Sequence, residues 1–110
     1  MQANPDLEPE SRERVNRSRA ELVRRLDSLS EGRMRVQPLP GIHIHRSTMP
    51  TELGHGTSVP SFCVTAQGAK EVNLGTLAYR YDASCYLIAT DELPITSRIV
   101  EASAQKPFLE

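Results

Sequence analysis

His43-Ile44-His45 is the segment of this sequence whose residue types and spacing come nearest to a reactive centre. Residues two apart share a face of a β-strand. Two imidazoles so placed begin a metal site only if a carboxylate and a further imidazole join them. The next acid is Glu52, beyond Pro50, and the third histidine, His55, lies in the same turn-rich stretch. No histidine follows Asp82. Two ligands do not close a site, so no metal and no cofactor is expected. His43 and His45 are candidates for contacts with a bound small molecule.

The other reactive side chains lack the company that chemistry needs. Cys63 and Cys85 sit in apolar, strand-like runs with no histidine nearby. They are expected to be packed, reduced thiols; a disulfide between them would require an oxidising compartment. Neither Ser61 nor Ser84 stands in a nucleophile-elbow sequence. Gly54-His55-Gly56 is too short for a phosphate loop, and Asp91-Glu92 before Leu93-Pro94 suggests a solvated turn. No catalytic residue is assigned, and the chain is not expected to be an enzyme. Tyr79 and Tyr81 carry hydroxyls on an otherwise apolar strand face, where they need partners if buried. Together with His43 and His45 they are the candidate residues of a small-molecule pocket, which is typically apolar with a few orienting polar groups.

These residues must be positioned by one small domain: the chain has 110 residues, 38% hydrophobic and 25% charged, with a formal net charge of −1. Its longest apolar run, Cys85 to Ala89, is far short of the roughly 20 residues that cross a bilayer. The first residues hold no signal-peptide core, so a cytoplasmic protein without membrane contact is expected. Charge is divided. Residues 11–35 hold eight arginines against four acids, +4, and the remainder holds five basic against ten acidic residues, −5. The arginines interleave with carboxylates at helical spacing, as in Glu13 with Arg17 and Glu21 with Arg25, which suits a solvated helix face more than a nucleic-acid footprint.

Residues 1–10, with Pro5 and Pro9, are expected to be a disordered leader. A helix follows over 11–32, with Ser11 as its cap and Gly32 as its stop. Val15, Leu22, Leu26 and Leu29 share one face of it, a candidate dimer interface. Gln37 to Gly41 breaks the chain. Ile42 to Arg46 alternates as a strand, Ser47 to Pro60 forms a loop, and short strands follow at Phe62–Gln67, Lys70–Leu74, Leu77–Tyr81, Cys85–Thr90, Ile95–Glu101 and Pro107–Glu110. Gly75-Thr76 makes a two-residue hairpin turn. The spacing of these strands predicts a mainly β domain over 33–110, a sandwich or barrel, with one N-terminal α-helix.

The series Val59-Pro60-Ser61-Phe62-Cys63-Val64-Thr65-Ala66-Gln67-Gly68-Ala69-Lys70-Glu71-Val72-Asn73-Leu74-Gly75 closely resembles the N-terminal domain of AraC-type bacterial transcription regulators. So do Tyr79-Arg80-Tyr81-Asp82, Tyr86-Leu87-Ile88, Leu93-Pro94-Ile95-Thr96, Val100-Glu101-Ala102-Ser103 and Lys106-Pro107-Phe108-Leu109. Upstream, Pro40-Gly41-Ile42 and His45-Arg46-Ser47 fit as well. The likeness covers 40–110, and the order and gaps carry it, not any single element.

The resemblance implies a cupin-like jelly roll that senses a small-molecule effector, mediates dimerisation, or does both. DNA would be contacted only through a separate helix-turn-helix domain, which this sequence does not contain. Ending at Glu110, the jelly roll is expected to be incomplete, with an unpaired edge near Ile95–Glu101 or at the C-terminal segment. That edge would be covered by a second chain, as in a homodimer, or by the helix. Two other functions remain open: a small metal-dependent cupin enzyme, and a standalone dimerisation module. Effector identity and target genes are not legible.

Overall fold

The computed structural model describes residues 8–110. The leader expected over 1–10 lies mostly outside the described residues. Helix α1 spans Pro9–Ser30, two residues earlier than Ser11 suggested, because Pro9 occupies the first turn, where its missing N–H costs nothing. Glu8 is the N-cap residue, without a side-chain cap, and Glu10 places an acid near the positive end of the helix dipole. The expected pairs form: Glu13 with Arg17 at 4.0 Å, and Glu21 with Arg25 at 2.9 Å and with Arg24. The helix ends where the buried Ser30 hydroxyl donates back to the Leu26 carbonyl at 2.6 Å and Gly32 takes φ +72°.

Nine strands follow: β1 Arg35–Leu39, β2 Ile42–Ser47, β3 Gly54–Thr57, β4 Ser61–Val64, β5 Ala69–Leu74, β6 Leu77–Asp82, β7 Tyr86–Ala89, β8 Pro94–Glu101 and β9 Phe108–Leu109. They make a three-stranded sheet β1-β2-β9, a four-stranded sheet β3-β8-β5-β6 and a two-stranded ribbon β4-β7. All pairings are antiparallel. The body is mainly β with one N-terminal helix, compatible with a jelly roll.

Two strands fall where the sequence suggested breaks. Pro38 lies in β1 because β1 is an edge strand, where a proline forfeits no ladder bond, and the register slips between Val36 and Leu39. β3, Gly-His-Gly-Thr, is exposed on both faces and so has no apolar alternation; it forms by backbone pairing with β8.

The edge expected near Ile95–Glu101 does not form, whereas the C-terminal segment is the end strand of its sheet, bridged on its outer side by Gln67. β8 is interior, flanked by β3 and β5, and the C-terminal segment pairs with β2 as β9. Phe108 and Leu109 are completely buried, and with Ile44, Ala66, Ala69 and Ile99 they form the core. The Leu109 N–H donates to the Gln67 carbonyl at 3.0 Å, and its carbonyl accepts from Ala66 at 2.8 Å. Gly68 makes this approach possible. At φ +82°, a Cβ there would lie 2.5 Å from the Glu101 carbonyl oxygen. Arg46 ties α1 to β2 by donating to the Asp27 carboxylate and to its carbonyl at 3.2 Å.

Candidate functional site

Strand alternation sends Lys70, Val72 and Leu74 of β5 to one face of the four-stranded sheet. Register places Tyr81 beside Lys70, and Tyr79 beside Val72 on β6; Ser97 of β8 flanks Val72 on the other side. The ribbon β4-β7 covers this face with Ser61, Cys63, Leu87 and Ala89, and a cavity of about 390 Å³ lies between the two layers. That volume is in the range of small-molecule sites. The opposite face of the sheet is solvated and charged, where Arg80 meets Glu101 at 2.9 Å and Arg98 meets Glu71 at 3.3 Å.

The mouth is held by Ser58, whose hydroxyl donates to the Asp91 carbonyl at 2.6 Å and accepts from the Leu93 N–H at 3.0 Å. Val59, Ile88 and Leu93 rim it, all exposed. Inside, the Tyr79 and Tyr81 rings stack with centroids 6.3 Å apart and planes 28° apart. Burial pushes the Tyr81 hydroxyl pKa up, helped by Tyr79, Cys85 and Cys63 nearby. Tyr81 thus keeps its proton and can donate to a bound acceptor. Lys70 is the cation of the lining, and its ammonium is paired with Glu110, the two side chains being 15% and 16% exposed.

Of the four residues expected at an effector pocket, the structure brings Tyr79 and Tyr81 to this cavity and leaves His43 and His45 outside it. The histidines belong to the other sheet. His43 is exposed, whereas His45 is half-buried with its ring edge-on to Phe108, centroids 5.7 Å apart. Burial pushes the His45 pKa below its ordinary value; Glu110 opposes this, and Arg35 and Lys70 add to it. Among the described residues no group of three or more His, Cys, Asp or Glu is placed to hold a metal ion. Sequence reasoning missed Lys70, Cys63 and Ser97. A signal existed for Lys70: it has the parity of Val72 and Leu74 and therefore had to face inward with them.

The stripe on α1 is divided. Leu22 and Leu26 are half-buried, while Val15 and Leu29 are 40% and 53% exposed. The helix packs on β1, β2 and β9. Val15 and Leu22 line one side of a groove whose other side is Val64 to Ala66 and Ala83.

Among the described residues no helix is long and apolar enough to cross a membrane. A family model described as the AraC-type transcriptional regulator N-terminus matches residues 38–110. No curated protein and no solved structure matches the chain.

Proposed function

Because the chain belongs to the AraC-type transcriptional regulator N-terminal family, we propose that it is the effector-sensing domain of a bacterial, cytoplasmic regulator, with the cavity between β5-β6-β8 and β4-β7 as its effector site. The observation that carries this reading is the cavity itself, apolar on its walls, with Lys70, Ser97 and the Tyr81 hydroxyl as its orienting groups. The domain acts by presentation. An effector that binds two arrangements of the domain unequally shifts their populations, and a separate helix-turn-helix domain reads DNA. The chain acts as a regulator and catalyses no reaction.

Thermal unfolding of the full chain against a panel of small amphipathic molecules tests the effector site. At least one compound raises Tm in a dose-dependent way, and Ala89→Phe, which fills the cavity, removes the response. A panel with no response, or an equal response from the filled variant, overturns the assignment.

Homodimerisation is a second role, favoured by Val15 and Leu29, which remain exposed on the apolar stripe of α1. Light scattering is expected to give twice the chain mass for the wild type and the single-chain mass for Val15→Glu/Leu29→Glu. A monomeric wild type removes this role and leaves sensing untouched.

A further inference from the structure

We infer that the cavity takes a small monocarboxylic acid with a flat apolar body, such as an arylalkanoic acid, whose carboxylate meets the Lys70 ammonium in place of Glu110. This deepens the effector-site reading and rests on it.

The position of Lys70 is the first support. It shares the inner face of β5 with Val72 and Leu74 and lies in register with Tyr81 and Ile99. An ammonium among apolar side chains is costly unless an opposite charge meets it. Here the Glu110 carboxylate does so, and both side chains are about five-sixths covered. A carboxylate is therefore the group that balances this cation, and Glu110 supplies it from outside the cavity's lining. Exchanging one carboxylate for another leaves the charge at Lys70 balanced.

The direction of polarity is the second. The cation is deep, and the rim is apolar: Val59, Ile88 and Leu93 are 56%, 59% and 41% exposed. The one acid of the lining, Asp91, is exposed at the mouth. A molecule with a charged head and an apolar body matches this gradient head-first. The Tyr79 and Tyr81 rings, their planes 28° apart and Tyr79 44% exposed, add aromatic surface to one wall, against which a planar body stacks better than a flexible chain.

The exchange also connects the cavity to the helix. Glu110 is bound through its backbone to His45 of β2, accepting at 3.0 Å and donating at 3.1 Å. The next residue, Arg46, holds Asp27 of α1. A ligand that displaces the Glu110 side chain from Lys70 thus perturbs the strand that anchors the helix.

Isothermal titration of the full chain with 3-phenylpropionate, octanoate and the neutral 3-phenylpropan-1-ol is the test. The wild type is expected to bind 3-phenylpropionate at least tenfold more tightly than the alcohol and more tightly than octanoate. Lys70→Met loses that tenfold preference and keeps the alcohol. Glu110→Gln tightens the acid by removing its competitor. If Lys70→Met does not fold, the Lys70→Met/Glu110→Gln double variant, which buries no lone charge, takes its place. Alcohol binding equal to the acid overturns the carboxylate inference and leaves the cavity as an effector site. Octanoate binding more tightly overturns the flat body. Failure of all three ligands overturns the acid inference and leaves the effector site to the thermal panel and Ala89→Phe.

Discussion

The guanidinium of Arg46, 15% exposed, grips Asp27 of the helix at two points, the carboxylate and the backbone carbonyl. It is the polar tie between α1 and the β body. Arg46→Ala removes a charge-assisted contact together with a packed aliphatic stem, a loss of about 1–2 kcal/mol. Asp27 is half exposed, so solvent screens its share. Asp27→Ala is expected to cost less, below about 1 kcal/mol. Urea unfolding of both variants checks the ranking; equal losses would mean that the carboxylate, not the carbonyl and stem, carries the tie.

Gly68 and Gly41 share φ +82° but differ in surroundings. A Cβ at Gly68 meets the Glu101 carbonyl oxygen and the Phe108 backbone, whereas one at Gly41 meets open space. Gly41→Ala is therefore expected to lose about 1–2 kcal/mol from backbone conformation alone. Gly68→Ala loses this and a backbone clash, more than ~3 kcal/mol in all. A Tm for Gly68→Ala within a few degrees of that for Gly41→Ala would refute the close approach of β9.

His45 makes stability fall on the acid side. Its pKa is lowered in the folded state, mainly by burial. Below the ordinary value near 6.5 the unfolded chain gains a proton that the native imidazole resists, so stability is lost as pH falls from there through the folded pKa. His45→Gln is expected to lose less Tm than the wild type between pH 7.5 and 5.5. Parallel Tm curves for the two proteins would show that the imidazole takes up its proton alike in the folded and unfolded states.

Phe108 is fully buried and Phe62 is 65% exposed. Phe108→Ala is expected to cost about 3–5 kcal/mol, a large part of the stability of a domain this size. Phe62→Ser is expected to fall within about 0.5 kcal/mol of wild type. Guanidinium melts separate the two; a large effect at Phe62 would mean that its contact with Tyr86, ring centroids 5.4 Å apart, is structural.

The hairpin β5–β6 was legible because two signals agree there: alternation on both sides and a Gly-Thr turn, with Gly75 at φ +58°. Strand β2 was legible from apolar alternation, and β7 and β8 as short strand-like runs between turns. β1 and β3 were not, since Pro38 and the Gly-His-Gly run read as breaks until an edge position and a partner strand are known. The pairing of strands distant in sequence, β2 with β9 and β3 with β8, is set by packing that no local pattern encodes. The same limit governed the site. Tyr79 and Tyr81 could be placed on an apolar face from their own strand. His43 and His45 looked equally eligible, and only the assignment of β2 to the other sheet separates them from the cavity.

The two residues of β9 are synthesised after strands β1–β8 and are completely buried. A nascent chain that has emerged only as far as residue 106 has its hairpins but no plug, and its apolar interior is wet. Strand β2 and the Ala66-Gln67 segment gain these partners only once Phe108 and Leu109 have left the ribosome. These contacts join residues far apart in sequence, the kind whose formation is slowest.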